Sequence, residues 1–183
     1  ADNNTAFGLQ TLRNSTTGAS NTAVGHDSLK LNTSGSNNTS VGQISLGANT
    51  TGSNNVAVGK CALCSNTEGA QNISMGTEAL SKNTTAENNV AVGHRALCAN
   101  ITTSNNVAVG KEALRNNVQN SNTAVGSLAS QGNTSGDCNV AIGFEALCAN
   151  QTGGGHTAVG AEALKNNTGV QNTGVGHRAM CSN

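Results

Sequence analysis

Seventeen residues separate successive copies of one motif, Asn-x-Ala-Val-Gly, along this entire chain, apart from two steps of 16. A fixed period of this kind decides the architecture before any local propensity does. The sequence therefore predicts a single repeat array over residues 1–183, with one structural unit per copy and no second domain. The eleven copies begin at Asn4, Asn21, Asn38, Asn55, Asn72, Asn89, Asn106, Asn122, Asn139, His156 and Asn172.

The Thr/Val-Ala-Val segment of each copy is short, β-branched and bounded by turn residues, which is typical of a strand. A helical repeat is the alternative, because Glu-Ala-Leu occurs at 112–114, 145–147 and 162–164. The flanking Gly and Asn residues leave about six residues for such a helix, well short of an average one. We therefore predict an all-β parallel β-solenoid (β-roll) of about eleven 17-residue coils, each coil being one copy of the repeat.

Positions within a coil are counted from the Asn of the motif. The fifth position never carries a side chain, so we expect a corner there with positive φ or with a close approach of two backbones. The eleven corner glycines are Gly8, Gly25, Gly42, Gly59, Gly76, Gly93, Gly110, Gly126, Gly143, Gly160 and Gly176.

Two columns of large apolar residues are predicted to face the core, at the fourth and ninth positions. The ninth position is Leu in most coils, and Ser130 is the exception; we expect Leu128 to swing into the space that Leu fills elsewhere. The fourth position is Phe7, Val24, Val41, Val58, Met75, Val92, Val109, Val125, Ile142, Val159 or Val175.

Asparagine recurs at the first position and again at the twelfth. Identical amides one strand spacing apart can hydrogen-bond into a ladder, which is our prediction for the first position. At the twelfth position a ladder and a simple turn role stay equally open. The twelfth-position residues include Asn32, Asn49, Asn66, Asn83, Asn100, Asn117, Asn133 and Asn150.

Composition limits the partners. The formal net charge is zero and charged residues make up 10% of the chain, which gives no electrostatic case for nucleic acid or an anionic membrane. No apolar stretch approaches the length of a membrane span. Because large apolar residues are few, we expect help from association with other chains, cross-links or cooperative length. Neither end reads as a capping segment, so we expect a segment of a longer fibre.

The repeat resembles the head repeats of trimeric autotransporter adhesins of the YadA type, and related arrays in phage tail fibres and bacterial surface proteins. The elements that carry the resemblance include residues 21–25 (Asn-Thr-Ala-Val-Gly), 55–59 and 139–143. The resemblance implies a left-handed, often trimeric β-roll that serves as an extracellular stalk or adhesive head on a cell or virion surface. Its implied partners are other copies of the chain, surface glycans or a host receptor.

Six cysteines stand out in such a chain. Cys64, Cys98, Cys148 and Cys181 share the tenth position, which we predict to be exposed because Lys and Arg occupy it elsewhere. Cys64 and Cys98 are two coils apart, about 9.6 Å by strand spacing, which is too far for a disulfide.

Local and intermolecular pairing therefore stay open. Cys61 can close a small loop with Cys64, and Cys138 can reach Cys148 if the turns bring them together. Interchain disulfides and free thiols are the remaining alternatives.

No catalytic or metal site is predicted, and no cofactor. Cys61-Ala-Leu-Cys64 lacks the two further ligands that a zinc site needs. His26, His94 and His177 follow corner glycines several coils apart, which indicates solvated surface. No nucleophile, base and orienting acid can be assembled, so we expect no enzymatic activity.

Asn-x-Ser/Thr sequons recur on one turn column, from which we expect glycans to project if the source is eukaryotic. The candidate acceptors are Asn14, Asn32, Asn49, Asn83, Asn100, Asn133, Asn150 and Asn166.

Two functions from different classes remain. The leading hypothesis is a structural or adhesive fibre segment, and the alternative is ice binding, since flat β-solenoids with Thr columns can match a lattice. The Thr column at the thirteenth position is interrupted by Ile101, Val118 and Gln151, which disfavours the alternative. Its members are Thr16, Thr33, Thr50, Thr67, Thr84, Thr134 and Thr168.

Overall fold

The computed structural model describes residues 3–182, and its regular secondary structure consists of eleven strands of three residues each. The strands are Thr5–Phe7 (β1), Thr22–Val24 (β2), Thr39–Val41 (β3), Val56–Val58 (β4), Ile73–Met75 (β5), Val90–Val92 (β6), Val107–Val109 (β7), Thr123–Val125 (β8), Val140–Ile142 (β9), Thr157–Val159 (β10) and Thr173–Val175 (β11). Each strand covers positions two to four of its coil, where the sequence places it.

All eleven strands form one parallel sheet in chain order, β1 to β11. Equivalent residues face each other in every pair, so that Met75 lies between Val58 and Val92. This in-register stacking confirms the parallel β-solenoid. Residues 3–182 contain no helix, and therefore none that is long and apolar enough to cross a membrane.

The corner glycines are required for two reasons at once. All eleven have φ between 121° and 137°, a region that side chains disfavour. In the first ten coils the neighbouring backbone also fills the space of a side chain: a Cβ on Gly93 would lie 2.4 Å from the carbonyl oxygen of Gly110. The sequence left positive φ and close backbone approach as alternative reasons for a corner Gly. In the structure both reasons apply.

The prediction that the fourth position faces the core is wrong. In β2 to β11 the middle residue, at position three of the coil, is buried, while its neighbours at positions two and four are half-buried or exposed. Ala91, for example, is fully buried, whereas Val92 next to it is not. Successive side chains of a strand point to opposite faces, so the inward Ala obliges both β-branched neighbours to point outward.

The apolar core lies between this Ala column and the side of the coil that carries the eighth and ninth positions. Ala96 and Leu97 are fully buried, as are their equivalents in the coils between the first and the last. The ninth residue has positive φ in every coil, 51° at Leu97, which turns its side chain inward. Ala opposite Leu is the combination that the narrow interior accommodates.

A second prediction is wrong in the eighth coil. Leu128 does not fill the space of the Leu that is missing from the ninth position. Leu128 stays at the seventh position with φ 61°, like the seventh residue of other coils, and it is only partly buried. Ser130 occupies the ninth position, is 1% exposed, and its hydroxyl has no hydrogen-bond partner. The stacked backbone, which holds residue 128 in its own column, is the reason.

The polar half of the interior consists of two Asn ladders, one at the first position and one at the twelfth. Asn38 donates from its backbone N–H and from Nδ2 to Oδ1 of Asn21, at 2.9 and 3.1 Å. Asn49 donates from Nδ2 to Oδ1 of Asn32 at 2.8 Å. Both Asn38 and Asn49 also donate to the carbonyl of Gly52, each at 2.9 Å. The predicted ladder at the first position is confirmed. At the twelfth position the amides have both roles, because Asn49 donates to Asn32 in the neighbouring coil and to Gly52 in its own turn.

Candidate functional site: the outward face of the sheet

The side chains at positions two and four form one continuous surface, which we call the sheet face. Because the strands are in register, each column is a straight file with a spacing of about 4.8 Å along the axis. The second-position file is Thr5, Thr22, Thr39, Val56, Ile73, Val90, Val107, Thr123, Val140, Thr157 and Thr173. The fourth-position file is the column of Val, Ile, Met and Phe that was predicted to be internal.

The sheet face is uncharged and mostly apolar, with Thr as its polar residue, and a substantial fraction of it is accessible. Met75 is 43% exposed, Ile142 40%, Ile73 39% and Val125 37%, all in coils that have neighbours on both sides. The β-branched side chains of adjacent strands cover one another's flanks, so that each shows its tip to solvent. A long, flat apolar surface on a single chain is a feature of interaction sites.

No charged residue belongs to the sheet face. The nine Lys and Arg residues instead occupy positions six, seven, ten and eleven, which we call the charged side. His26, His94 and His177 lie at the sixth position of the charged side and are exposed there, several coils apart. The rod thus has one uncharged face and one charged face, and this division repeats along its length.

On the charged side, the seventh and tenth side chains of one coil converge. Lys30 Nζ lies 3.2 Å from Asp27 Oδ1, and Arg115 Nη1 lies 3.4 Å from Glu112 Oε2. In the fourth coil the same two positions are Cys61 and Cys64, which form a disulfide with Cα atoms 4.8 Å apart. A disulfide there takes the place of the ion pair that closes this turn in other coils.

The remaining cysteines are unpaired, and their exposure differs from the prediction. Cys98 is buried at 7% exposure, with Sγ 3.4 Å from the Ser81 hydroxyl, although we predicted an exposed column. Cys138 is exposed and Cys148 is half-buried, and both are free, so the turns do not bring them together. Burial and the nearby Glu145 carboxylate raise the pKa of the Cys148 thiol, partly offset by Lys165.

Most of the predicted glycan acceptors are inaccessible, which overturns the expectation that glycans project from this column. The twelfth-position amides point into the coil and belong to the buried ladder, so their nitrogens already donate hydrogen bonds inside the chain. Those at 1% exposure or less are Asn32, Asn49, Asn83, Asn100, Asn133 and Asn150. Asn14 and Asn166, one position earlier in their coils, are exposed.

The hydroxyl groups of the Thr column at the thirteenth position also form hydrogen bonds within the chain. The hydroxyl of Thr33 donates to the carbonyl of Thr50 at 3.0 Å, and Thr50 donates to Thr67 at 2.9 Å. The same pattern continues from Thr16 and Thr134. In these coils the hydroxyl donor therefore links one coil to the next.

Hydrophobicity alone favours an internal fourth position, and for that reason the sequence did not predict the sheet face. The sequence signal for it is the order of each strand, in which a small residue, Ala, Ser or Gly, stands between two larger ones. Residues 3–182 bring together no group of three or more His, Cys, Asp or Glu side chains suited to a metal ion. No family model matches the chain, and no curated protein or solved structure is significantly similar to it.

Proposed function

We propose that this chain is a structural rod of an extracellular fibre that associates with further copies of itself through the sheet face. The observation that carries the proposal is the uncharged outward surface of the eleven-stranded sheet, with half-exposed Ile73, Met75 and Ile142 along its middle. Association would remove this apolar surface from water, which is favourable at roughly 25 cal/mol per Å².

The dimensions of the face suit a partner of equal length. Eleven strands at about 4.8 Å, each three residues wide, give a surface on the order of 50 Å by 10 Å. Two such faces together approach the roughly 1,000 Å² that a specific interface needs, provided that they are matched over their whole length. A short peptide would cover too few coils to reach that area.

The repeat spacing favours a second copy over an unrelated globular partner. Side chains in the two files recur once per coil, so another solenoid with the same rise can interdigitate with them at every coil. A globular surface has no such period and would fit over a few coils only. The absence of charge on the face removes the repulsion that like-charged identical chains would otherwise experience.

The disulfide supports the proposed location outside the cell. Disulfides form and persist in oxidising compartments and are rare in the cytosol. Cys61–Cys64 is such a bond within one coil. The adhesive role, with glycans or a receptor as ligand, rests on the resemblance of the repeat and is part of the same proposal.

The test places charge on the sheet face. In the double variant Val92→Lys and Val109→Lys, two adjacent ammonium groups project from the face without entering the core. The matched control, Gln131→Lys, adds a Lys at the tenth position, which already carries Lys or Arg in other coils. Sedimentation equilibrium and negative-stain electron microscopy are measured on all three proteins, with circular dichroism as a check of folding.

We expect the natural chain and the Gln131→Lys control to form oligomers or filaments, and the double variant to be a monomeric rod. A natural chain that stays monomeric at high micromolar concentration would contradict self-association. So would a double variant that assembles like the control.

Ice binding is the second candidate, and the regular, uncharged Thr and Val files of the sheet face are what favours it. The thirteenth-position Thr column is less suited, because its hydroxyls donate to the next coil. Thermal hysteresis of the natural chain, absent from the Val92→Lys and Val109→Lys variant, would support ice binding. A natural chain without thermal hysteresis would rule it out.

A further inference from the structure

A small cavity opens on the charged side next to the disulfide. It has a volume of about 270 Å³ and spans the second to fourth coils. The cavity exists because Gly47 stands at the tenth position, where the coils on either side carry Lys30 and Cys64. Leu31 and Ile44, which are 41% and 38% exposed, form its apolar walls.

The two ends of the cavity differ chemically. Cys64, which is bonded to Cys61, lines one end. The other end is lined by Lys30 and Asp27, whose charged atoms lie 3.2 Å apart. Lys30 and Cys64 belong to coils two steps apart, so about 9.6 Å of axial distance separates their backbones.

We propose that this cavity is a thiol–disulfide exchange site for small zwitterionic thiols, which attack the disulfide at Cys64. The cavity is of the right size for an amino-acid-sized molecule. The Lys30 ammonium and the Asp27 carboxylate at one end of the cavity are complementary to the carboxylate and the ammonium of such a thiol. A thiol bound in this way has its sulfur directed at the other end of the cavity, which Cys64 lines.

The chemistry is a displacement at sulfur. The incoming thiolate attacks Sγ of Cys64, the Cys61–Cys64 bond breaks, and Cys61 leaves as a thiolate that takes a proton from water. The product is a mixed disulfide between the small thiol and Cys64. A second molecule of the thiol can attack the mixed disulfide, which releases Cys64 and a symmetric small disulfide. The net result is reduction of the protein disulfide by two electrons and oxidation of two thiols.

Cys64 is the expected point of attack because Cys64, and not Cys61, lines the cavity. The free cysteines cannot replace it, since Cys98, Cys138, Cys148 and Cys181 have no disulfide for a thiol to attack. The site is independent of the sheet face, which lies on another side of the coil, so it can be tested whether or not the rod associates.

The experiment uses the whole chain, oxidised and with its free thiols blocked by N-ethylmaleimide. L-Cysteine is added at neutral pH, the reaction is stopped in acid at early times, and the newly released thiol is alkylated and located by peptide mass spectrometry. Gly47→Gln fills the cavity with a residue that the tenth position accepts in the eighth coil. Arg115→Gln introduces the same residue in the same column four coils away.

We expect a mixed disulfide on Cys64 and an alkylated Cys61. Gly47→Gln should slow the reaction about tenfold or more, because its side chain excludes the thiol from the cavity, while Arg115→Gln leaves it unchanged. Lys30→Met should slow the reaction with L-cysteine and leave that with uncharged 2-mercaptoethanol unchanged.

Several results would overturn the proposal. These are alkylation of both Cys61 and Cys64 in the blocking step, a mixed disulfide on Cys61, or equal rates for Gly47→Gln and the natural chain. A reaction with L-cysteine that is insensitive to Lys30→Met would overturn the assignment of a zwitterionic thiol.

Discussion

Nδ1 of His156 accepts a hydrogen bond from the backbone N–H of Asn172 at 3.1 Å, in the place where Oδ1 of an Asn accepts in the other coils. Nε2 of His156 lies 3.1 Å from the carbonyl of Gly169, where the Asn Nδ2 would donate. The imidazole therefore continues the first-position ladder because, like an amide, it presents one acceptor and one donor. This requires the neutral ring with its proton on Nε2.

Acidification is therefore expected to weaken the last two coils. Burial lowers the pKa of His156 from its ordinary 6.5, although its hydrogen bond to the carbonyl of Gly169 acts in the opposite direction. A lowered pKa means that the unfolded chain binds the proton more readily, so stability is complete above about pH 6.5 and falls as the pH drops below it. The ring's partners, Asn139, Asn167, Asn172 and Gly169, carry no charge that could stabilise an imidazolium.

The measurement is urea unfolding at pH 7.5 and at pH 5, together with hydrogen exchange of the amide of Asn172. His156→Asn restores the residue of the other ten coils, and it should reduce the loss of stability on acidification and protect the Asn172 amide at pH 5. The effect should amount to about 1–3 kcal/mol, the cost of leaving a buried donor unsatisfied. An unchanged pH dependence in His156→Asn would contradict this account.

Truncation at the ninth and fourth positions should have very different costs. Leu97 is fully buried, so Leu97→Ala should lower the free energy of unfolding by about 2–5 kcal/mol. Val92 is on the sheet face, and Val92→Ala should cost about 1 kcal/mol or less in the monomer. Chemical denaturation at a concentration where the chain is monomeric compares the two, and equal costs would mean that the fourth position faces the core after all.

Ser130→Leu is expected to stabilise the chain. The position is buried, its backbone has φ 49°, close to the 50° of Leu114 and 54° of Leu147, and its hydroxyl has no partner. A Leu there should add about 1–3 kcal/mol through apolar burial and removal of the unsatisfied hydroxyl.

Ser130→Ala serves as the control for this gain, because it removes the hydroxyl without filling the Leu column. Thermal and urea unfolding are measured for both variants. If Ser130→Leu is less stable than Ser130→Ala, the neighbouring coils have already closed over the space, and the Leu is overpacked.

Replacing an amide of the buried ladder by a carboxylate should lower the free energy of unfolding. Nδ2 of Asn66 donates to Oδ1 of Asn49 at 2.8 Å and to the carbonyl of Gly69 at 2.9 Å. Asn66→Asp replaces this donor by an acceptor that faces two other acceptors, so we expect a loss of roughly 3 kcal/mol or more at pH 7. Asn116→Asp, the same change at an exposed position, should have little effect on urea unfolding. Equal losses would argue against a buried ladder.

The sequence by itself determined the number of coils, the parallel order of the strands and the position of every corner, because identical 17-residue copies can bury their columns only by stacking in register. It also predicted the first-position ladder, since stacked Asn residues next to a strand have one another as the nearest partners.

Only the tertiary structure decided which side of each strand is inside. Val92 is more hydrophobic than Ala91, and the sequence therefore suggested an internal Val. In the folded coil, however, the Leu97 column faces the third position from the opposite side, and only small residues, Ala in most coils, occupy it. The direction of the twelfth-position amides, the approach of Cys61 to Cys64 and the cavity at Gly47 likewise depend on how one coil closes and how its neighbours stack on it.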